Sequence, residues 1–205
     1  MTTQYLKTLQ ATGNKEYFDA AELDAEKYYH QYIKQHIPGI KDRAITEIAC
    51  GHGRITNQIL KDFAPKTVTL VDINQENLWY CKNRFKNFSN LKLIKTKGTD
   101  LEGIESNSQD FVYSFDSFVH FNKDLVELYI IEIKRVLKEG GTCFLHYSNS
   151  GKSDLSSKEL GHGLRGTMTK EAMIELLMDT TILHNESISW GIENLDAIIV
   201  FKKIK

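Results

Sequence analysis

Residues 45–56 read ITEIACGHGRIT, an apolar run followed by two closely spaced glycines. The apolar part predicts a short buried strand, and the residues after Gly53 predict the beginning of a helix. Glycine at such a junction permits positive φ and lets a ligand approach the backbone closely. The helix N-terminus adds N–H groups that have no partner within the helix. The stretch therefore predicts a ligand-binding turn.

The chain continues this alternation of strands and helices. Further strands are predicted at 67–73, 91–96, 110–115 and 142–148, with helical patterns between them. Two more strands, at 183–190 and 196–204, read as a terminal hairpin. This alternation predicts an α/β fold in which helices cover both faces of a mostly parallel sheet. In such sheets ligands bind beyond the carboxyl ends of the strands.

A length of 205 residues suits one domain. We expect residues 1–43 to form an N-terminal helical cap and residues 44–150 to form a cofactor-binding core. Residues 151–205 then supply an acceptor loop, a helix and the terminal hairpin. Helical spacing of aromatic residues begins at Tyr17 and ends before Pro38.

Composition narrows the function classes. A formal net charge of −1 gives no general attraction to nucleic acid or to an anionic membrane. No run approaches the roughly 20 apolar residues of a membrane helix, and the first residues lack a signal-peptide pattern. The three cysteines have neither disulfide-framework nor metal-ligand spacing. We expect a cytoplasmic protein without a bound metal.

Three residues around the turn discriminate between nucleotides. Asp72 ends the next predicted strand, where a carboxylate can accept hydrogen bonds from ribose hydroxyls. Thr56 occupies the place of the third glycine of a dinucleotide-binding turn. Glu47, inside the first strand, would repel a pyrophosphate and favour a cationic group. A ribose with a positive charge in place of phosphates describes S-adenosylmethionine.

The segment EIACGHG resembles motif I, E/D-x-G-x-G-x-G, of the class I S-adenosylmethionine-dependent methyltransferases. Glu47, Gly51 and Gly53 match, and Ala49 replaces the first glycine. The likeness extends in register to four further stretches: LVDIN (70–74), KGTDLEGI (97–104), DFVYSFDSFVHF (110–121) and IKRVLKEGG (133–141). It implies the sheet order 3-2-1-4-5-7-6 with an antiparallel strand 7, a Rossmann-like arrangement.

The same resemblance implies S-adenosylmethionine as the cofactor. Asp72 would hold the ribose, and Asp100 with the neighbouring backbone would border the adenine. The residues expected to contact the cofactor are Glu47, Ala49, Cys50, Gly51, Gly53, Asp72, Ile73, Thr99, Asp100, Leu101, Ser114 and Phe115.

Three stretches resemble a subgroup thought to methylate sugar hydroxyls in surface-polysaccharide and nodulation-factor assembly. They are SFDSFVHF (114–121), LHYSNS (145–150) and RGTM (165–168). The acceptor this implies is a small molecule, namely a sugar or sugar-nucleotide hydroxyl.

A hydroxyl acceptor usually needs a base, because a neutral alcohol is a poor nucleophile. Asp116 and His120 follow the fourth strand four residues apart, so a helical turn there would place both on one side. His146, near the end of the fifth strand, is the other candidate base or acceptor-binding group. The alternative is a structural role, in which Asp116 and His120 cap local structure and His146 caps a helix.

Acceptor contacts are expected from Asn149 and from the loop at 150–166. Asn149 is a hydrogen-bond candidate for a substrate hydroxyl. In the loop, His162 and Arg165 would meet an anionic acceptor such as a nucleotide-sugar; the alternative is a solvated loop.

Other functions stay open at this point. They are a small-amine N-methyltransferase, an NAD-dependent oxidoreductase and a non-catalytic nucleoside-binding module. A nucleic-acid enzyme is disfavoured, because SFDS (114–117) stands where enzymes acting on exocyclic amines carry an NPPY-type motif.

Overall fold

A computed structural model describes residues 15–151, 165–189 and 192–204. Its centre is one seven-stranded sheet of order β3-β2-β1-β4-β5-β7-β6. The strands are β1 Ala44–Ile48, β2 Thr67–Asp72, β3 Leu91–Lys95, β4 Gln109–Phe118, β5 Leu137–Ser148, β6 Thr180–Ile188 and β7 Asp196–Lys203. In this described sheet β7 runs antiparallel to both β5 and β6, and the other neighbouring strands are parallel. The predicted fold class and strand order are confirmed.

Two helices of the described chain precede β1, and four others occupy connections between strands. The helices are α1 Lys15–Leu23, α2 Ala25–Tyr28, α3 Arg54–Asp62, α4 Gln75–Arg84, α5 Lys123–Val136 and α6 Lys170–Leu176. A π-helical turn (Tyr29–Ile33) and a 3₁₀ turn (Lys34–His36) continue α2 toward Pro38. This agrees with the helical spacing predicted there.

Helix ends follow capping chemistry at two positions and depart from it at a third. Asn74 and Thr169 cap α4 and α6, accepting from the N–H groups of Glu76 and Ala172. The pair Gly140 and Gly141, which suits a left-handed helix end, predicts that α5 ends there, and this prediction is wrong. The helix ends at Val136, because Leu137 is extended and pairs with Gln109 of β4. The glycines lie in the irregular step of β5 that follows.

Each face of the sheet has its own hydrophobic core. Successive strand residues point to opposite faces, so Phe144 of β5 lies in one core and Leu145 in the other. Residues of α2, α3 and α4 cover the face with Phe144, and residues of α5 and α6 cover the face with Leu145. Because β1 to β5 are parallel, their carboxyl ends meet at one edge.

The segment 165–168 is held against that edge. The Gly166 N–H donates to the Val119 carbonyl at 2.7 Å, and Ser148 Oγ donates to the Gly166 carbonyl at 2.9 Å. Thr167 Oγ1 accepts from the Lys123 N–H at 3.0 Å. The three stretches that resemble the sugar-hydroxyl subgroup therefore lie against one another.

Gly166 is the tightest of the described glycines. A Cβ at this position would lie 1.9 Å from the Phe121 carbonyl oxygen, which is rigid backbone. We expect Gly166→Ala to lower the free energy of unfolding by about 1–3 kcal/mol, because the segment must move away from the sheet edge. Chemical denaturation measures this.

Gly39→Ala is the matched control for this change, since a Cβ at position 39 meets no atom within 4 Å. Equal stability of the two variants would contradict the tight contact at Gly166.

Candidate active site

The turn after β1 is built from left-handed residues. Ala49, Gly51 and Gly53 have φ of 54°, 53° and 70°. For a residue with a side chain this conformation costs roughly 1–2 kcal/mol, which explains why motif I has glycine where this chain has Ala49. Ser117 Oγ donates to the Ala49 carbonyl at 3.3 Å and so supports the turn from β4.

Asp72 ties this turn to the end of β2. Its Oδ2 accepts from the Gly51 N–H at 2.9 Å, and its Oδ1 accepts from the Asn74 N–H at 2.8 Å and from Asn77 Nδ2 at 3.2 Å. These bonds fix the carboxylate at the end of β2, where the resemblance implies a contact with the ribose. The ribose contact itself stays a prediction.

Glu47 points into the core beneath the turn. Its Oε2 accepts a hydrogen bond from Thr56 Oγ1, which also lies 2.6 Å from the Tyr113 hydroxyl. Burial raises the pKa of Glu47 to about 7, although the Thr56 hydrogen bond works in the opposite direction. Thr56, which occupies the place of the third glycine of a dinucleotide-binding turn, is thus the hydrogen-bond partner of Glu47, the acid of motif I.

Other predicted cofactor residues surround the turn at the same edge. The sulfurs of Cys50 and Cys81 both donate to the Gly51 carbonyl, at 3.6 and 3.3 Å. Ser114 Oγ is buried and donates to the Ile48 carbonyl at 2.8 Å. Ile73 directly follows β2, and Phe115 is buried near the end of β4.

The loop after β3 carries the residues predicted to border the adenine. Asp100 Oδ1 accepts from the Glu102 N–H at 3.1 Å. The Leu101 N–H donates to Glu132 Oε2 of α5 at 2.9 Å, and the Leu101 side chain is buried. Thr99 is exposed. Hydrogen bonds therefore fix this loop before any ligand binds.

Helix α1 lies over the turn. The Phe18 ring stacks on His52 at 3.8 Å, and Phe18 Cε1 lies 2.8 Å from the point where Gly51 would carry a Cβ. Arg84 holds Glu22 through two hydrogen bonds of 2.8 and 2.6 Å. The expected N-terminal cap is therefore in contact with the turn itself.

Asp116 is the centre of the candidate catalytic group. Its Oδ2 accepts from Arg54 Nη2 at 2.6 Å and from the Tyr17 hydroxyl at 3.2 Å. Although burial alone would raise it, the pKa of Asp116 is lowered by the charge of Arg54 and by His146 and His120. Asp116 is therefore ionised at neutral pH.

The helical turn considered between Asp116 and His120 does not form. Strand β4 continues to Phe118, with Asp116 in a left-handed conformation at φ 63°. A short turn follows, in which the His120 N–H donates to the Ser117 carbonyl at 3.0 Å. His120 nevertheless lies close enough to Asp116 to lower the pKa of its carboxyl.

His146 is completely buried beside Asp116. Its Nδ1 accepts the Asp116 N–H at 3.2 Å, and its ring centroid lies 4.7 Å from that of Phe115. The structure therefore brings Asp116, His120 and His146 together at the ends of β4 and β5. Their catalytic roles remain predictions.

The two predicted acceptor-binding residues make internal contacts. Arg165 is 1% exposed and forms a bidentate pair with Asp196 of β7, with both N···O distances 2.8 Å. Asn149 Oδ1 accepts from the Lys170 N–H at 2.8 Å and its Nδ2 donates to the Asn194 carbonyl at 3.1 Å. Acceptor contact by either residue stays a prediction, and His162 lies outside the described residues.

Sequence reasoning missed two polar residues of this site, Arg54 and Asp196, and it missed the hydrogen bonds that Tyr17 and Thr56 make there. Arg54 and Thr56 stand within the turn and the first residues of α3, so their proximity to the site was readable from the sequence. Their partners were not, because Asp116 lies 62 positions from Arg54.

Comparisons with known proteins match the part of the chain that contains the turn and its neighbouring strands. Residues 45–141 match the model of a family described as methyltransferase domain. An S-adenosylmethionine-dependent methyltransferase from Mesorhizobium loti superposes with a TM-score of 0.71 at 11% identity, covering 85% of this chain and 97% of that one. Residues 45–141 thus resemble a methyltransferase domain in sequence, and the sheet around them has the fold of a solved S-adenosylmethionine-dependent methyltransferase. The match to a methyltransferase domain and to solved S-adenosylmethionine-dependent enzymes supports S-adenosylmethionine as the cofactor.

A second solved structure and a curated relative extend the comparison. A Clostridium acetobutylicum S-adenosylmethionine-dependent methyltransferase superposes with a TM-score of 0.68 at 16% identity, over 98% of this chain and 99% of that one. The fatty-acid O-methyltransferase of Mycolicibacterium smegmatis is 26% identical over 171 residues, 83% of this chain and 57% of that protein. The chain spans about half the length of the curated relatives it matches.

Two further findings apply to residues 15–151, 165–189 and 192–204. No helix there combines the length and the apolar character needed to cross a bilayer. No group of three or more His, Cys, Asp or Glu side chains in the same ranges is placed to hold a metal ion.

The buried Glu47 predicts a pH dependence of stability. A folded pKa of about 7 exceeds the ordinary value of 4.5, so the folded state binds more protons between these values. The free energy of unfolding must then fall as the pH rises from 4.5 to 7, by up to ~3 kcal/mol. We expect Glu47→Gln to remove this fall in urea denaturation at pH 5 and 8.

The exposed Glu105 supplies the control variant, Glu105→Gln, which should keep the wild-type profile. Parallel profiles for wild type and Glu47→Gln would contradict the raised pKa.

Asp72 predicts a loss of cofactor affinity on substitution. In Asp72→Asn one carboxylate oxygen becomes an NH₂ group, which cannot accept from Gly51, from Asn74 or from a ribose hydroxyl. We expect the Kd for S-adenosylhomocysteine, measured by calorimetry, to rise roughly 10–100-fold. Asp62→Asn, at the end of α3, is the control. An unchanged Kd for Asp72→Asn would show that the ribose is held elsewhere.

Proposed function

We propose that this protein transfers the methyl group of S-adenosylmethionine to an oxygen atom of a small-molecule acceptor, and that the acceptor is a sugar or sugar-nucleotide hydroxyl. The observation that carries the proposal is the cluster of Asp116, His120 and His146 at the edge where the motif I turn lies. The packing of residues 165–168 against β4 and β5 favours the sugar acceptor, because it joins the three stretches that resemble the sugar-methylating subgroup.

The cofactor residues fit this role. Asp72, Ile73 and the loop 99–101 would hold the nucleoside, and the turn 49–53 would meet the methionine part. When bound, S-adenosylmethionine supplies a methyl group on a sulfonium whose leaving group is already activated. The protein therefore has to orient the acceptor and receive its proton.

Among the three candidate bases, His120 suits proton transfer best. Asp116 is ionised and paired with Arg54, and its lowered pKa makes it a weak base. His146 is completely buried, with Nδ1 already accepting a hydrogen bond. His120 is partly exposed and lies beside the Asp116 carboxylate, which would stabilise the imidazolium formed.

A carboxylate acceptor is the second candidate. The Mycolicibacterium smegmatis relative is named a fatty-acid O-methyltransferase, and a carboxylate is ionised at neutral pH without a base. The weak basicity of Asp116 is compatible with this reaction. Methylation of a carboxylate would then proceed without His120.

An acceptor screen tests the proposal. The protein is incubated with S-adenosylmethionine and, in separate reactions, nucleotide-sugars, free fatty acids or small amines, and products are identified by mass spectrometry. A methylated sugar hydroxyl is the expected result, and a fatty-acid methyl ester would support the second candidate. Methylation of amines alone would overturn O-methylation. Nucleoside binding without methyl transfer would favour a non-catalytic module.

Substitution of His120 separates the two acceptors. We expect His120→Ala to lower kcat for a hydroxyl acceptor by about 10²–10⁴, because the proton has no acceptor, and to leave the Kd for S-adenosylhomocysteine unchanged. Methylation of a carboxylate should be nearly unaffected. The control is His30→Ala, at an exposed position within the π-helical turn. A wild-type kcat on hydroxyls in His120→Ala would exclude His120 as the base.

A further inference from the structure

Asp196 is a buried carboxylate at the site edge to which neither sequence motif nor comparison gives a role. It begins β7 opposite Ser148 of β5, and His146 pairs with Ile198 on the same ladder. Residues two apart on a strand share a face, so Asp196 and His146 lie diagonally on one face of the sheet. The His146 Nε2 to Asp196 Oδ2 distance is 3.5 Å.

The charge of Asp196 is neutralised by Arg165. Both carboxylate oxygens accept from the guanidinium at 2.8 Å, and both residues are at most 1% exposed. Apolar residues of similar volume usually replace such a buried pair without loss of stability. Stability alone therefore does not require these two charges, and the neighbouring imidazole gives them a second use.

The two nitrogens of His146 have different environments. Nδ1 accepts the Asp116 N–H at 3.2 Å, so in the neutral ring the proton is on Nε2. Nε2 faces the Asp196 carboxylate, which favours a proton at that position. Asp196 and the Asp116 amide thus select the same tautomer from opposite sides of the ring.

This tautomer holds a strained residue in place. Asp116 has a φ of 63°, a conformation that costs a residue with a side chain energy and needs support from its surroundings. If Nδ1 carried the proton, it would oppose the Asp116 N–H and that support would be lost. The same residue directs its carboxylate to Arg54 and Tyr17.

We propose that Asp196 is a positioning residue of the methyl-transfer site. It fixes the Nε2–H tautomer of His146, and His146 then fixes the backbone of Asp116 and the direction of its carboxylate. This inference rests on the proposed function for its kinetic consequence. The histidine tautomer is a separate readout that does not depend on activity.

Two double variants test the proposal without leaving a buried charge unpaired. Arg165→Met with Asp196→Leu removes both charges and the oxygen that faces Nε2. Arg165→Gln with Asp196→Asn removes both charges but keeps an oxygen at position 196. Asp110→Asn, at the amino end of β4 and paired with Lys138, is the control for loss of an aspartate.

The tautomer is measured from the ring ¹⁵N shifts of His146, assigned with His146→Gln. Wild type and the double variant Arg165→Gln/Asp196→Asn should show a proton on Nε2. The double variant Arg165→Met/Asp196→Leu should show a mixture of tautomers. In Arg165→Met/Asp196→Leu, kcat should fall on the order of tenfold or more, as it does when other partners of functional histidines are removed. The KM of this variant for S-adenosylmethionine should stay at the wild-type value. The kcat of Arg165→Gln/Asp196→Asn should be higher than that of Arg165→Met/Asp196→Leu.

Three results would overturn the proposal. The first two are an unchanged tautomer or a wild-type kcat in folded Arg165→Met/Asp196→Leu. The third is an equal loss of kcat in both double variants. An acceptor KM raised equally in both would instead assign Arg165 to acceptor binding. Failure of the proposed function is distinguishable, because wild type would then methylate no hydroxyl acceptor while the tautomer measurement still decides the role of Asp196.

Discussion

Buried charge at the carboxyl edge of the sheet is the constraint on which this site depends. An unpaired carboxylate in that position would cost several kcal/mol, so Asp116 and Asp196 must each have a cationic partner. Arg54 comes from α3, directly after the glycine turn, and Arg165 comes from the segment packed on β4 and β5. One pair therefore connects the helix after the turn to the end of β4, and the other connects that segment to the start of β7.

The cofactor side uses a different solution, in which hydrogen bonds replace ion pairs. Asp72 accepts three protein donors, and Glu47 is buried against Thr56 with a pKa near neutrality. Both carboxylates thereby hold the turn in a ligand-ready form. The acid of motif I, Glu47, therefore stabilises the turn through its buried hydrogen bond with Thr56.

The parts of this structure that could be predicted depend on residues close together in the sequence or on the family resemblance. The parts that were missed depend on contacts distant in sequence. Strand and helix order followed from periodicity, and the strand order followed from the family resemblance. Capping by Asn74 and Thr169 is local chemistry within three residues. The end of α5 was missed because the pairing of Leu137 with Gln109, a contact distant in sequence, overrode the glycine signal at position 140. The pairs Arg54–Asp116 and Arg165–Asp196 were missed for the same reason.

We expect the carboxyl edge around the Ala49–Gly53 turn to bind the nucleoside of a sulfonium cofactor. Backbone amide chemical shifts can be recorded while the protein is titrated with S-adenosylhomocysteine or with NAD. S-adenosylhomocysteine should shift the amide signals of residues 49–53, 72–73 and 99–101, and NAD should not. Shifts confined to other parts of the chain, or an equal response to NAD, would contradict this expectation.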